Sequence, residues 1–226
     1  MDKKQKVQRI FDAISYRYDF LNHFLSAGID LYWRKKALKL TKIDPSSILL
    51  DVACGTGDFA IAANKYGINK IFGIDLSINM LRIFQKKSKL ADGYIVQSIA
   101  ESLPFKSESF TNITVAFGVR NFYNITESFK SFSRVLKSGG KITILEFRLP
   151  KSILVKKIYL FYFNKILPLI GKVFSKDNEA YTYLPQSVNE FDEKINLVEL
   201  LFKTGFKDIE IHSLTLGIVQ VVIGKK

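Results

Sequence analysis

The stretch Leu49-Leu50-Asp51-Val52-Ala53-Cys54-Gly55-Thr56-Gly57-Asp58 constrains the fold more than any other part of the chain. An apolar run ends in a carboxylate, a glycine turn follows, and a helix-compatible segment begins at Phe59. This order predicts a buried strand, a tight turn and a helix N-terminus. Gly55 and Gly57 let the backbone turn sharply and let a ligand come close to it. The first N–H groups of the helix lack intrahelical partners and face that ligand. The segment Gly55 to Ala60 also fits G-x-G-x-x-G/A, in which a pyrophosphate rests on the helix N-terminus.

The acids around the turn point to a different ligand. Asp51 directly before it and Asp58 at the helix start would repel a pyrophosphate. They suit a ligand that carries a positive charge and no phosphate, such as S-adenosylmethionine with its sulfonium and ammonium. Asp75 closes the next apolar strand, where an acid accepts ribose hydroxyls in nucleoside-binding α/β folds. The competing reading makes Asp51 and Asp75 turn and cap residues. Cys54, inside the turn, reads as a small buried filler. As the lone cysteine it excludes an internal disulfide framework and suits a reducing cytoplasm.

The rest of the chain alternates strand and helix signals. Strands are predicted at 48–51, 70–75, 94–97, 112–117, 141–147, 207–212 and 217–223, the last two as an antiparallel pair. Helices are predicted at 58–66, 79–87, 127–136 and 188–204, with Ser138-Gly139-Gly140 as a turn. Such alternation predicts an α/β, Rossmann-like, doubly wound and mostly parallel seven-stranded sheet with an antiparallel last strand. Apolar residues at helical spacing predict an N-terminal helical segment over 1–45, broken at Gly28. One domain is expected over 1–226, with a core at 46–150, a helical insertion at 151–187 and a C-terminal helix and strand pair at 188–226.

A net charge of +13 implies an anionic partner: nucleic acid, an acidic substrate or an anionic membrane surface. No zinc spacing or RNA-binding signature favours nucleic acid, so none is expected. No apolar run approaches the roughly 20 residues of a membrane span. Between Lys151 and Lys176, however, lysines alternate with Ile153, Leu154, Ile158, Phe161 and Ile166, a texture that suits an anionic lipid surface. A cytoplasmic protein that visits the inner face of the membrane is the expected location.

The motifs D-V-A-C-G-T-G-D, G-I-D-L-S-x-x-M-L and A-E-S-L-P-F resemble those of class I S-adenosylmethionine-dependent methyltransferases. Within that class, Phe11-Asp12-x5-Tyr18-Asp19-x2-Asn22, Trp33-Arg34, Phe117-Gly118-Val119-Arg120-Asn121, Leu145-Glu146-Phe147 and Tyr181-x-Tyr183-Leu184-x2-Ser187 resemble the ubiquinone/menaquinone biosynthesis C-methyltransferase family. The likeness runs from about residue 7 to the C-terminus, and implies that the N-terminal helical segment 1–45 is a lid over the cofactor. It implies C-methylation of a polyprenyl quinol, with demethylmenaquinol as the expected acceptor and a ubiquinone precursor or another small acceptor as alternatives. A dinucleotide oxidoreductase and a basic nucleic-acid-binding protein are the readings from other classes.

The resemblance assigns the cofactor, S-adenosylmethionine, to Tyr18, Asp51, Gly55, Thr56, Gly57, Asp75, Leu76, Ile99 and Ala100. Relatives often carry an acid before that alanine. Here Ile99 replaces it, leaving the Ala100 backbone N–H for the adenine and Glu101 as a substitute acid. Arg120 is the candidate stabiliser of a developing phenolate, because a guanidinium stays charged and donates several hydrogen bonds. Asn121 is the candidate for orienting the quinol oxygen. A structural ion pair is the competing reading of Arg120. His23 and His212 fall in no motif and are expected to be structural or surface groups. A homodimer is among the expected assemblies.

Overall fold

The computed structural model describes residues 3–91, 94–166 and 179–226. Strands β1 (Ile48–Val52), β2 (Lys70–Asp75), β3 (Ile95–Gln97), β4 (Phe110–Ala116), β5 (Leu136–Phe147), β6 (Lys207–Leu214) and β7 (Val219–Lys225) form one sheet. Its order is β3-β2-β1-β4-β5-β7-β6, and β7 runs antiparallel to both β5 and β6. The chain winds outward from β1 to β3, then returns to β4 on the other side of β1. That reversal leaves a crevice at the carboxyl ends of β1 and β4, the place where open α/β sheets take ligands.

Alternate strand residues face opposite sides of the sheet, so each strand feeds two cores. Leu50, Val52, Ile113, Val115, Ile142 and Ile144 pack with Phe129 and Phe132 of helix α5 (Ile125–Val135). Leu49, Leu145, Val221 and Ile223 face the other way. They meet Trp33 and Leu38 of α2 (Ile29–Thr41), Phe59 of α3 (Asp58–Asn64) and Phe84 of α4 (Ile78–Lys87). Side chains fix the helix starts: Ser77 accepts from the Met80 N–H, and Asn124 from the Glu127 N–H. Each such cap stabilises its helix by about 1 kcal/mol.

Helix α1 (Lys3–Leu25) crosses the carboxyl ends of the central strands, where it buries Val7 and Ile10 and makes polar contacts to the loops. Lys3 Nζ donates to the carbonyls of Arg120 (3.2 Å) and Phe122 (2.5 Å), beyond β4. The Ser77 hydroxyl donates to Asp12 beyond β2, and the Thr56 hydroxyl to Asp19 beyond β1.

Two local expectations are corrected. Ser138-Gly139-Gly140 is not a turn that precedes the strand. Gly139 (φ +77°) bends a continuous β5, and Gly139 and Gly140 pair with the backbone of Lys226. The predicted helix at 188–204 is two helices, α7 (Glu179–Lys194) and α8 (Leu197–Lys203). Asn196 interrupts it, because its side chain accepts from the Val198 and Glu199 N–H groups and starts a new helix. The insertion contributes α6 (Ile153–Phe161) and a π-helical turn at Tyr162–Ile166. Lys172 and Lys176 lie outside the described residues. No helix among the described residues is long and apolar enough to cross a membrane.

Candidate active site

The backbone at the switch point is under strain. Ala53, beyond β1, and Phe117, beyond β4, take left-handed conformations (φ +53° and +57°) that side chains other than glycine rarely adopt. Between them the chains nearly touch: a Cβ on Gly118 would lie 2.7 Å from that of Ala53. A cleft of about 780 Å³ opens there. Gly55, Asp75, Leu76, Ile99 and Ala100 line it from the sheet side, and Phe11 and Tyr18 of α1 form part of its cover.

Asp75 faces this cleft from the end of β2. Its carboxylate accepts the Gly55 N–H and the Ser77 N–H, both at 2.8 Å, so it ties the glycine turn to the start of α4. Burial pushes its pKa up to about 6.

Asp51, Thr56 and Gly57, expected on the cofactor, do not line the cleft. Asp51 is fully buried beneath it, where one oxygen accepts from the Thr114 hydroxyl (2.8 Å) on the neighbouring strand. The other oxygen has no hydrogen-bond partner among the described residues, and burial raises the pKa to about 7. The Thr56 hydroxyl is engaged by Asp19. Gly57 (φ +87°) makes room for packing, since an added Cβ would fall 2.2 Å from the Phe84 ring.

Asp58 turns away from the cleft to Lys87, with Arg34 (3.9 Å) and His23 (3.7 Å) nearby. The two carboxylates expected around the turn are engaged within the fold, Asp51 by Thr114 and Asp58 by Lys87. His23, Asp30 and Asp58 bring ligating atoms within 4.8 Å of one another, but Arg34 and Lys87 already balance those carboxylates. Glu101 does reach the cleft, yet one of its oxygens is held by the N–H groups of Tyr123 (2.8 Å) and Asn124 (3.0 Å). Cys54 is buried, as expected of a filler.

A second cavity, about 1740 Å³ and mainly apolar, adjoins the first. Phe11, Tyr18 and Phe117 line both, so the two spaces meet at these rings. Residues of α1, α2, α6 and α7 enclose it with the loops beyond β4 and β6. Arg120 lines this cavity, and Asn121 lines the cleft beside it. Arg120 is held rigidly: Nη1 bonds to Glu146 (2.6 Å) and to the Phe117 carbonyl (2.6 Å), and Nε to Ser187 (3.3 Å). The ion-pair reading of Arg120 is thus met, and the same guanidinium also fronts the cavity. Tyr183 donates its hydroxyl to Asn121 Oδ1 (2.9 Å).

Glu146, Tyr183 and Ser187 stand in motifs visible in the sequence, but nothing in those motifs announces their partners. His23 pairs with Asp30 (2.9 Å) and His212 with Glu210 (3.1 Å), and neither lines the two cavities. The arrangement joins a cleft with nucleoside-type contacts to a large apolar chamber, with a buried guanidinium at the junction.

Comparison with known proteins gives a consistent picture. The chain matches the ubiE/COQ5 methyltransferase family over residues 1–226. It is 45% identical to the ubiquinone/menaquinone biosynthesis C-methyltransferase UbiE of Geotalea daltonii, covering 100% of this chain and 98% of that one. It is 41% identical to the demethylmenaquinone methyltransferase of Chlorobaculum parvum, covering 94% and 89%. Among solved structures, a SAM-dependent methyltransferase from Thermotoga maritima shares the fold with a TM-score of 0.65 at 20% identity, covering 96% and 99%.

Proposed function

Because the chain belongs to the ubiE/COQ5 methyltransferase family, whose members use S-adenosylmethionine, we propose that it methylates a ring carbon of demethylmenaquinol to give menaquinol. The observation that carries this reading is the junction of the two cavities at Phe11, Tyr18 and Phe117. A nucleoside cleft and a large aromatic chamber meet there, as methyl transfer to an apolar ring requires. Relatives named for demethylmenaquinone support menaquinol over the ubiquinone precursor.

The cleft residues suit the cofactor. Asp75 has lone pairs left for the ribose hydroxyls after binding Gly55 and Ser77. Leu76, Ile99 and Ala100 offer an apolar slot for adenine, and Gly55 offers close backbone approach. Tyr18 closes the slot from the lid. Asp51, Thr56 and Gly57 act one step removed: they hold the turn against β4, α1 and α4. When bound, the cofactor supplies an electrophilic methyl group on its sulfonium.

The protein's own contribution is to position and polarise the acceptor. The phenolic hydroxyl beside the reacting carbon gives up its proton, and the ring carbon forms the new C–C bond as the S–CH3 bond breaks. Loss of the ring hydrogen as a proton then restores aromaticity. Arg120 stabilises the phenolate. Its pairing with Glu146 fixes the guanidinium in advance, so little reorganisation is needed as charge develops. Asn121, oriented by Tyr183, holds the quinol oxygen or the water that takes its proton. Orientation of this kind can account for up to ~7–11 kcal/mol of a barrier.

The acceptor's prenyl tail belongs in a bilayer, and α6 is built to meet one. Ile153, Leu154, Ile158 and Phe161 are exposed on it, alongside exposed Lys151, Lys156 and Lys157. An apolar helix face with a basic border suits an anionic lipid surface. Ile158 also lines the acceptor cavity, which gives the tail a short path from lipid to site.

The test uses purified protein, labelled S-adenosylmethionine and chemically reduced demethylmenaquinone or the ubiquinone precursor, with the products identified by mass spectrometry. Label in menaquinol alone supports the reading. Label only in the ubiquinone precursor, or in neither, overturns it. Co-sedimentation with anionic vesicles at low salt, and its loss in a Lys151/Lys156/Lys157→Glu variant, tests the membrane contact.

A further inference from the structure

Of the described residues that line the acceptor cavity, three are exposed, and all three are aliphatic: Ile29 (40%), Ile158 (62%) and Leu216 (77%). They come from the start of α2, from α6 and from the turn between β6 and β7. Hydrogen bonds draw these three elements together. Trp33 of α2 donates its indole N–H to the Thr215 hydroxyl (2.7 Å). The Arg148 N–H, on the chain that leads to α6, donates to the Ile218 carbonyl (3.0 Å). Tyr162, directly after α6, donates to the Leu25 carbonyl (2.8 Å) at the end of α1. The cavity opens to the outside through this apolar rim.

The turn that carries Leu216 is held out at a cost. Thr215 and Leu216 take left-handed conformations (φ +46° and +56°) that side chains other than glycine rarely adopt. A strained turn that presents a leucine to the outside points to a contact that the folded chain does not itself supply. Trp33 shows where that contact leads. Its ring stands edge-on to Phe117 and to Phe147, both at 6.0 Å, and Arg120 lies over the Phe147 ring at 5.7 Å. Its N–H edge reaches Thr215, next to Leu216. A wall of aromatic rings therefore runs from the Arg120 corner to the rim.

We propose that Ile29, Ile158 and Leu216 form the mouth through which the acceptor's prenyl tail leaves the site, and that Leu216 packs on this tail and selects for tailed acceptors. This inference rests on the quinol reading above and gives the tail its place. The quinol ring takes the end of the wall at Arg120, and the tail follows Trp33 outward to the rim. The exposed rim positions carry no polar side chain, so an isoprenoid chain loses no hydrogen bond there and removes apolar surface from water. Ile158 belongs both to the rim and to the exposed apolar face of α6, so the tail emerges beside Lys156 and Lys157.

The experiment measures binding without turnover and without lipid. Trp33 is the chain's single tryptophan and lines the chamber, so its fluorescence reports a quinone bound there. The probes are 2-geranyl-1,4-naphthoquinone and tailless 1,4-naphthoquinone, titrated into full-length wild type, Leu216→Asn and the control Phe202→Asn. Asparagine tolerates the left-handed conformation at position 216, so Leu216→Asn keeps the wild-type Tm. Phe202 is as exposed as Leu216 (72%) but does not line the cavity. In Leu216→Asn, Kd for the geranyl probe is expected to rise about fivefold, with Kd for the tailless probe within twofold of wild type. Phe202→Asn should change neither. An unchanged Kd for the geranyl probe in Leu216→Asn, an equal rise for both probes, or the same rise in Phe202→Asn overturns the proposal and leaves the quinol reading standing. Wild-type protein that binds neither quinone and methylates neither quinol defeats the quinol reading itself, and the proposal with it.

Discussion

The two cavities are built by different means. The cleft proposed for the cofactor is made of backbone turns at the ends of β1, β2 and β4, and its key polar contacts join residues that are near in the chain or on adjacent strands. Asp75 bonds to Ser77 and to Gly55 on the neighbouring strand's turn. The acceptor cavity is made of side chains from helices far apart in the chain, and one buried ion pair, Arg120–Glu146, anchors its polar corner. The cleft therefore depends on local geometry, and the chamber depends on tertiary packing. Damage to one should leave the other measurably intact.

The largest separation is expected from Glu146→Ala. Glu146 is fully buried, and its removal leaves the Arg120 guanidinium without its counter-charge. Breaking a buried pair in this way costs about 3–5 kcal/mol. For a chain of this size that lowers Tm by roughly 6–20 °C in scanning calorimetry. Below the new Tm, turnover is lost while cofactor affinity changes less than twofold. Equal loss of cofactor affinity would mean that the two cavities are one cooperative unit.

The mirror experiment is Asp75→Asn. It removes the charge that faces the cleft and replaces one acceptor with a donor that faces a backbone N–H. Loss of such buried contacts amounts to about 1–3 kcal/mol, so cofactor Kd should rise about 10–100-fold in titration calorimetry. The acceptor KM at saturating cofactor should not move.

Tyr183→Phe probes the junction with a smaller effect. It deletes the bond to Asn121 Oδ1, at about 1 kcal/mol, and leaves the longer bond from Asn121 Nδ2 to the Phe117 carbonyl (3.4 Å). A few-fold lower kcat with unchanged Kd and KM is expected from steady-state kinetics. A raised KM without a change in kcat would move Asn121 from the reacting oxygen to simple binding.

The same contrast explains what was legible in the chain. Gly55, Asp75, Leu76, Ile99 and Ala100 line the cleft at the strand ends, a placement that follows from strand–turn–helix signals that are local. Asp51 and Asp58 show that adjacency in sequence does not say which way a side chain turns. Asp51 points beneath the turn to Thr114, and Asp58 to Lys87. Ser138–Gly140 reads as a turn from its own residues and stays in the sheet because it pairs with the far end of the chain. Asn196 signalled a cap in the middle of a predicted helix and was legible in principle. The acceptor cavity has no local signature at all.

The smallest predicted effect concerns pH, and it has opposite signs for cofactor binding and for stability. Asp75 has a pKa near 6, and only its ionised form accepts from ribose hydroxyls without competing for a proton. The ionised fraction rises about fourfold between pH 5.5 and 7.5, so cofactor Kd should tighten by about that factor. The Asp75→Asn variant should show no such slope. Stability of the free protein runs the opposite way. Asp51 and Asp75 hold their protons more tightly when folded, so their contribution to stability falls as pH rises from the ordinary carboxylate value toward about 7 and about 6 respectively. Asp51→Asn removes the larger of these penalties and retains an oxygen for the Thr114 hydroxyl. Its stability relative to wild type should therefore improve steadily from pH 5.5 to 7.5 in denaturant titrations. A difference that stays flat from pH 5.5 to 7.5 would show that Asp51 is already ionised in the fold, and would return its charge to the cofactor site.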